Sequence, residues 1–300
     1  GSPLTSPELV RGFRLALGLA SPMVQAIAAE SPTDIPILNA SIGEAEILLA
    51  EDNATNREVI TRQLRRLGYT YDVAEDGEQA WDRLQANRNR YRLLLTDCHM
   101  PRLDGYGLTE RIRRDEAAFG RPHLNIVAIT ANALLGEGER CLALGMDAYL
   151  AKPLQMPDLK RILARMLPTH AEPVPATEAT GSSLDAEPGF AVLTRLLGNN
   201  EATLRHVLDI FLASTRVDLE CWTEARHAAD HDTLRELAHR LKSGCRQLGE
   251  ESAAAAFETV ELHSGSAADL VALAESAQRE VELTLARVTA FKERSLAERS

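Results

Sequence analysis

Two arrangements of hydrophobic residues divide the chain into distinct parts. Between residues 46 and 167, short apolar runs alternate with stretches in which apolar residues recur at helical spacing. Apolar runs that do not alternate with polar residues are typical of strands buried on both faces of a parallel sheet. Five strand-and-helix units of this length predict a doubly wound α/β domain with right-handed crossovers, although the pattern does not fix the strand order. The predicted strands are Ile47–Ala50, Tyr69–Ala74, Leu93–Asp97, Asn125–Thr130 and Asp147–Ala151, and helices are predicted near 54–67, 77–84, 106–114, 134–144 and 157–167.

After residue 188 the pattern changes to amphipathic helices joined by short connections. Apolar residues recur every three or four positions, as they do on the buried face of a helix. Helices of this kind indicate an antiparallel bundle over residues 189–297. The predicted helices cover about 190–197, a long segment from 200, then 232–248, 251–263 and 267–292.

The two remaining segments have weaker patterns. Residues 1–45 begin with Gly-Ser, which resembles a remnant of a cloning tag, and they predict a partly helical connector interrupted by prolines. Residues 168–188 combine Pro, Gly, Ser and Thr without apolar periodicity, so we expect a flexible linker. The predicted division is therefore 1–45, 46–167, 168–188 and 189–297.

Composition narrows the possible functions. The net charge of −11 disfavours binding to nucleic acid. Four scattered cysteines without a Cys-x-x-Cys pair suit free thiols in a reducing compartment, and we expect a cytoplasmic location. No apolar run approaches the roughly 20 residues that a membrane-spanning helix needs, so we expect no membrane contact by this fragment.

Polar residues stand at the carboxyl ends of four predicted strands. Glu51 and Asp52 follow the first strand, Asp97 ends the third, Thr130 ends the fourth, and Lys152 follows the fifth. In an open parallel sheet these ends meet at the edge where ligands bind. Three carboxylates held together repel one another, and a divalent cation relieves that repulsion. Hard oxygen ligands favour Mg²⁺, with Mn²⁺ as the alternative.

The same residues supply what phosphoryl transfer requires. Asp97 can act as the nucleophile, and Thr130 and Lys152 can hold the phosphoryl oxygens. Beside Asp97, the predicted metal ligands are Asp52 directly, Glu51 through water and the backbone carbonyl of His99.

The predicted helix over 232–248 carries a second candidate. His239 projects about 160° from the centre of its apolar stripe, so we do not expect a core histidine. Three cations, Arg235, Lys242 and Arg246, lie on the same side of the helix, and Gly244 leaves the next turn open. An exposed imidazole among cations stays neutral, which suits attack on phosphorus and later carriage of an anionic phosphoryl group. A solvated histidine on a basic face is the plainer alternative. We count Lys242 with His239 as a catalytic candidate.

Several short motifs resemble those of response-regulator receiver domains. This resemblance implies a flavodoxin-like sheet of order 2-1-3-4-5, with Asp97 as the phosphoacceptor. It also implies that Tyr149 is a switch aromatic, rotating inward when Thr130 moves toward the phosphoryl group, although an ordinary edge-strand residue is the alternative. Glu51 stands where the family more often has Asp. The motifs are Glu51-Asp52-Asn53, Thr96–Pro101, Asp104-Gly105, Ala128–Ala131 and Ala151-Lys152-Pro153.

The segment Ala238–Gly244, followed by Leu248-Gly249, resembles the motif of histidine phosphotransfer (Hpt) domains. The resemblance implies an all-α four-helix bundle in which His239 is the phosphorylated residue. Ser243 stands where that family often has Gly, and because both residues are small we expect the close approach of a partner to survive.

A receiver followed by an Hpt domain resembles the C-terminal part of unorthodox hybrid sensor histidine kinases. The resemblance implies a His–Asp–His–Asp phosphorelay in two-component signalling. Asp97 would accept the phosphoryl group from an upstream histidine kinase domain, and His239 would donate it to the receiver of a separate response regulator. The sequence contains no recognisable ATP-binding kinase domain, so its status as an enzyme stays open. The alternative is a regulatory docking module in which only the receiver is phosphorylated. The parent protein is expected to be anchored in the inner membrane.

Overall fold

The computed structural model describes residues 46–131, 137–167, 190–197 and 200–297. We call residues 46–167 the α/β region and residues 190–297 the helical region. The expectations for residues 1–45 and 168–188 fall outside the described residues.

The α/β region is built on five parallel strands in the order β2-β1-β3-β4-β5, which confirms the order implied by the family resemblance. The central strands are apolar and buried, as the unalternating runs predicted. Their carboxyl ends lie at one edge of the sheet. The strands are β1 Ile47–Ala50, β2 Tyr71–Ala74, β3 Leu93–Asp97, β4 Asn125–Thr130 and β5 Ala148–Ala151.

Helices cover both faces of the sheet, and a separate apolar cluster fills each face. Asn53 caps the first helix, because its side chain accepts a hydrogen bond from the Asn56 backbone N–H. The helices are α1 Ala54–Arg66, α2 Gly77–Ala86, α3 Gly105–Phe119, α4 Glu137–Ala143 and α5 Met156–Met166, with a short 3₁₀ turn at Arg88–Arg90.

Helix α3 continues one turn beyond its predicted end near Arg114. Glu116 in the added turn forms an ion pair with Arg113, which also pairs with Asp147. The helix then ends at Gly120, which adopts a left-handed conformation. The prediction stopped too early because polar residues held by ion pairs carry no hydrophobic periodicity. For α4, predicted from about Leu134, residues 132–136 lie outside the described residues.

The helical region packs its helices around one apolar core. Trp222 and Phe257 lie at its centre with their rings edge to face, 5.3 Å between centroids. The arrangement is consistent with the predicted bundle. The helices are α6 Ala191–Leu197, α7 Glu201–His227, α8 His231–Leu248, α9 Glu251–Leu262 and α10 Ala267–Ala297.

The two regions pack against each other through α1, which contacts α6, α7 and α8. Val59 of α1 belongs to the apolar core of the helical region. Arg62 of α1 donates a 3.2 Å hydrogen bond to Thr203 of α7. This packing, which the sequence left open, brings α8 to the carboxyl edge of the sheet.

Two expectations drawn from composition can be compared with the described residues. All four cysteines are free thiols. Among the helices in the described ranges, none combines the length and the apolar character needed to cross a bilayer.

Candidate functional site

Three carboxylates lie together at the carboxyl edge of the sheet. Glu51 and Asp52 follow β1 and Asp97 ends β3, so the pairing of these two strands brings them together. Their ligand oxygens all lie within 4.8 Å of one another. Asp97 and Glu51 are buried. The arrangement concentrates negative charge where water can do little to screen it.

Lys152, just after β5, supplies the opposing charge. Its Nζ lies 2.5 Å from Asp97 Oδ2 and 2.9 Å from Glu51 Oε2, and the side chain is almost fully buried. Burial alone would favour the neutral amine, but the two carboxylates outweigh it and hold the pKa of Lys152 above its ordinary value. Lys152 therefore remains a cation beside Asp97.

One ammonium group does not balance three carboxylates. Burial raises the pKa of Glu51 to about 8, and the charges of Asp97 and Asp52 add to this effect against the attraction of Lys152. Burial and the Asp97 carboxylate raise the pKa of Asp52 to about 6. Raised pKa values of this size mean that the cluster favours binding of a further cation, either a proton or a metal ion.

Thr130 lies at the end of β4, and its hydroxyl donates a hydrogen bond to the Glu137 carboxylate of α4. Glu137 also contacts His99, whose Nε2 lies 2.9 Å away. The hydrogen bond to Glu137 raises the pKa of His99 against the effect of burial. The backbone N–H of His99 donates to Asp97 Oδ1 at 3.3 Å. Only the backbone carbonyl of His99 was predicted to take part in the site, and no pattern in the sequence indicated the side chain of His99 or Glu137.

Tyr149 lies on β5 with its ring already buried. The ring packs over the backbone of Gly138, where an added Cβ would lie 2.6 Å from Tyr149 Cζ. The predicted inward rotation of Tyr149 requires a ring that is exposed to solvent before phosphorylation. The missing side chain at Gly138 leaves the space that the ring occupies here.

The second candidate, His239, lies on α8, which begins at the capping residue Asp230. Its Nδ1 lies 2.8 Å from Glu261 Oε1 of α9, and the other Glu261 oxygen accepts a hydrogen bond from Lys242. Burial would raise the pKa of Glu261, but the hydrogen bond from His239 and the charge of Lys242 lower it to about 2. Glu261 is therefore a carboxylate, and His239 donates to it through Nδ1–H.

The predicted surroundings of His239 are wrong. Its side chain is only 13% exposed, and the cations on its side of the helix are all balanced by carboxylates. The missing acidic partners come mainly from α9, where Glu258 and Glu261 face α8. The pairs are Arg235 with Asp232, Lys242 with Glu261, and Arg246 with Glu258. Sequence periodicity within one helix cannot reveal partners on another.

The two candidates meet at the boundary between the regions. The rings of His99 and His239 lie 4.7 Å apart between centroids. Lys152 Nζ, which contacts Asp97, also donates a 3.3 Å hydrogen bond to the Ser243 hydroxyl. Ser243 follows His239 by one helical turn. The carboxylate cluster and the α8 histidine thus form one continuous site.

A buried aspartate at the end of the central strand, beside an acidic pair and a lysine in a 2-1-3-4-5 sheet, is the arrangement of a receiver domain of the response-regulator class. The family model described as the response regulator receiver domain matches residues 47–164. These residues belong to that receiver family.

The chain is similar to several sensor kinases. Virulence sensor protein BvgS of Bordetella bronchiseptica is 33% identical over 210 residues, which cover 67% of this chain and 17% of that protein. Sensor protein EvgS of Escherichia coli K12 is 33% identical over 213 residues, covering 71% of this chain and 16% of that protein. Sensor histidine kinase RcsC of Salmonella typhi is 41% identical over 133 residues, which cover 44% of this chain and 13% of that protein. The receiver is therefore of the kind found in hybrid sensor kinases, and the matched part spans less than a fifth of these relatives.

Solved structures also resemble the α/β region. The receiver domain of sensor histidine kinase PA1611 from Pseudomonas aeruginosa, solved with magnesium coordinated in its active-site cleft, is 47% identical. The match covers 41% of this chain and 98% of that one, with a TM-score of 0.37. A chain in the complex of Saccharomyces cerevisiae Ypd1 with the Ssk1 receiver domain is 25% identical. That match covers 41% of this chain and 88% of that one, with a TM-score of 0.39.

Proposed function

We propose that this chain provides the two middle stations of a His–Asp–His–Asp phosphorelay, with Asp97 in a receiver domain over 46–167 and His239 in an Hpt domain over 189–297. The observation that carries the proposal is the continuity of the two sites. Lys152 contacts Asp97 and Ser243 at once, and the ring of His99, two residues after Asp97, lies 4.7 Å from the ring of His239. Two phosphoacceptors on opposite sides of one packed boundary need little movement to exchange a group.

The proposed first step loads Asp97. An Asp97 carboxylate oxygen attacks the phosphorus of an upstream phosphohistidine, an O–P bond forms, and the N–P bond breaks with its electron pair returning to the imidazole. Lys152, held as a cation, stabilises the negative oxygens of the group in transfer. Thr130 would leave Glu137 to donate its hydroxyl to one of those oxygens.

The proposed second step moves the group to His239. The Nδ1–H bond to Glu261 keeps the lone pair on Nε2, so Nε2 is the attacking atom. An N–P bond forms while the Asp97 O–P bond breaks, and the carboxylate keeps the electron pair. The positive charge that develops on the ring is stabilised by Glu261, which Lys242 holds in place. Glu261 is thus a positioning residue in this scheme.

The donor set of the acidic cluster fits a divalent cation. Glu51, Asp52 and Asp97 bring their oxygens within 4.8 Å of one another, and burial disfavours their unneutralised charge. With the His99 carbonyl as a further ligand the set is all oxygen, which suits Mg²⁺ or Mn²⁺. When bound, the cation would offset the carboxylates and stabilise the phosphoryl oxygens.

The remaining assignments follow from the same scheme. The donor is the histidine kinase domain of the parent protein, and the acceptor is the receiver of a separate response regulator. We place both in the cytoplasm, with the parent anchored in the inner membrane. Catalysis by this chain is limited to passing on the phosphoryl group, since kinase activity is assigned to the parent.

The test follows a radiolabelled phosphoryl group from the phosphorylated kinase domain of the parent into this chain with Mg²⁺. We expect base-labile label on Asp97 first and acid-labile label on His239 afterwards. Asp97→Asn should take up no label, because an amide cannot replace the nucleophile. His239→Gln should hold the label on Asp97.

The matched control is His227→Gln, which alters an exposed histidine at the end of α7 and should behave like the unaltered chain. Label that stays on Asp97 in the unaltered chain would overturn the relay. That result would support the alternative function, a docking module in which only the receiver is phosphorylated.

A further inference from the structure

Ser243 reaches across the boundary between the two regions. It lies on α8, one turn after His239, and its side chain is buried. Its hydroxyl oxygen accepts a 2.7 Å hydrogen bond from Asn56 Nδ2 of α1 and a 3.3 Å hydrogen bond from Lys152 Nζ. A glycine here, as the Hpt resemblance would favour, could make neither contact.

Asn56 needs this acceptor because its amide is buried between two oxygens. The same Nδ2 donates to Glu51 Oε1 at 2.9 Å. A carboxamide has two N–H groups, so one serves Glu51 and the other serves Ser243. Asn56 therefore joins the acidic cluster of the receiver to α8.

Lys152 also needs the Ser243 hydroxyl as a hydrogen-bond acceptor. An ammonium group has three N–H donors, and its three partners are Asp97, Glu51 and Ser243. Without the Ser243 hydroxyl, one donor of Lys152 and one of Asn56 would lose their acceptor inside a buried contact. A buried donor without an acceptor costs more than the bond itself contributes.

The groups around Ser243 lie close together, which makes the contact selective. A Cβ at the adjacent Gly244 would lie 3.1 Å from Asn53 Nδ2, which itself donates a 3.0 Å hydrogen bond to the Arg240 carbonyl. With the helices this close, a receiver whose α1 presents an apolar side chain at the position of Asn56 could not reach the hydroxyl.

We propose that Ser243 is a specificity-determining residue, which selects receivers that present a hydrogen-bond donor at the position of Asn56. The inference rests on the proposed relay and deepens it, because it identifies which receivers His239 can exchange with. It extends to the downstream regulator, whose first receiver helix should carry an amide or hydroxyl donor at the matching position.

The test is a double-mutant cycle in the full chain, comparing the unaltered protein with Asn56→Ala, Ser243→Ala and the double variant. Each is loaded on Asp97 by the parent kinase domain, and the rate at which label reaches His239 is measured. With Ser243 present, Asn56→Ala should slow transfer about tenfold. In the Ser243→Ala background, Asn56→Ala should have a clearly smaller effect, because only its hydrogen bond to Glu51 is then left to lose.

Ser214→Ala is the matched control, since Ser214 hydrogen-bonds within its own helix α7 and the tenfold effect of Asn56→Ala should persist in that background. Effects of Asn56→Ala that multiply with those of Ser243→Ala would overturn the inference while the relay stands. Absence of any transfer in the unaltered chain would instead overturn the relay.

A readout without phosphoryl transfer separates the two failures further. The side-chain amide resonances of Asn56 should shift in Ser243→Ala and stay in place in Ser214→Ala. Unshifted Asn56 resonances in Ser243→Ala would remove the contact on which the inference depends, whatever the relay does.

Discussion

Asp97 and His239 lie at the same boundary between the two regions, but their charged partners are brought to them in different ways. Asp97 ends a central strand, and the charges around it come from residues that follow two other strands of the sheet, β1 and β5. His239 lies on the outside of α8, and its charged partner Glu261 comes from the adjacent helix. The sheet assembles its site through backbone pairing, whereas the helical region assembles its site through the packing of side chains. The first arrangement follows from topology, and the second depends on which helix faces meet.

The largest expected effect tests whether the two regions are separate folding units. Phe257→Ala removes a fully buried ring that contacts Trp222 in the helical core. We expect the free energy of unfolding of the helical region to fall by about 3–5 kcal/mol, because the cavity cannot fill completely. The chain has two tryptophans, Trp81 on α2 and Trp222 on α7, so each region has its own fluorescent reporter.

Urea unfolding would be followed in Trp81→Phe and Trp222→Phe backgrounds, which isolate the two reporters. We expect only the Trp222 transition to move substantially. Phe119→Ala is the control, since that ring is 71% exposed and should change neither transition much. Equal shifts of both transitions in Phe257→Ala would mean that α1 packing joins the regions into one cooperative unit.

A second prediction compares the two lysines. Lys152→Met should destabilise the α/β region by roughly 3 kcal/mol, since it leaves the buried carboxylates of Asp97 and Glu51 without their cation. Lys242→Met should cost about 1 kcal/mol, because Glu261 is 22% exposed and keeps its bond to His239. Urea midpoints with EDTA and with Mg²⁺ provide the measurement.

Mg²⁺ should recover much of the loss in Lys152→Met and little in Lys242→Met, because only Lys152 neutralises carboxylates of the set that would hold the metal ion. Equal losses in the two variants, or a Lys152→Met chain that ignores Mg²⁺, would contradict the proposed difference between the sites.

The fold could be predicted wherever the sequence pattern carried the physical cause. Strand β4 was predicted over the residues it occupies, because its apolar run is buried on both faces and bounded by loop residues. Helix α3 was predicted too short, because Arg113 and Glu116 extend it through ion pairs instead of apolar contacts. Hydrophobic periodicity predicts which residues are buried, but it does not predict a helical turn that is stabilised by ion pairs with other elements.

The same difference explains which residues of the site could be predicted from the sequence. Glu51, Asp97 and Lys152 could be gathered from the sequence because parallel strands place their carboxyl ends at one edge. Glu261 and the bond from Asn56 to Ser243 could not, because they join residues on elements whose relative packing has no local signal. Strand-end chemistry was thus predictable, and interhelical chemistry required the structure.

A third prediction uses pH, to which the two sites should respond with opposite sign. The pKa of Glu51 is raised from 4.5 to about 8 in the folded protein. Its contribution to stability is complete below its unfolded pKa and is lost as pH rises through the folded value. The pKa of Glu261 is lowered to about 2, so its contribution is present above its unfolded pKa and is lost as pH falls through the folded value.

In metal-free buffer the α/β region should lose about 2 kcal/mol between roughly pH 5 and pH 8, and the helical region should lose about 1–2 kcal/mol on acidification below about pH 4. Glu51→Gln should remove the part of the first dependence that lies near pH 8 and leave the part due to Asp52, whose pKa is raised to about 6. Glu261→Gln should flatten the second dependence. Urea unfolding at each pH, read through Trp81 and Trp222, measures both. The same sign of dependence in the two regions would show that the opposed pKa shifts do not govern stability.

The smallest expected effect compares two glycines. A Cβ at Gly138 would lie 2.6 Å from the Tyr149 ring, and the ring must move because it cannot compress. Gly138→Ala should therefore cost about 1–2 kcal/mol and change the ring resonances of Tyr149 while leaving those of His239 in place.

A Cβ at Gly244 would meet Asn53 Nδ2 at 3.1 Å, a milder contact. Gly244→Ala should cost less and shift the Asn53 and Arg240 resonances instead, since the Asn53 amide caps α1 and holds the Arg240 carbonyl. Unchanged Tyr149 resonances in Gly138→Ala would mean that α4 yields before the ring does. In that case the packing of Tyr149 against α4 would tolerate an added methyl group better than the boundary at α8 does, the reverse of the order that these contacts imply.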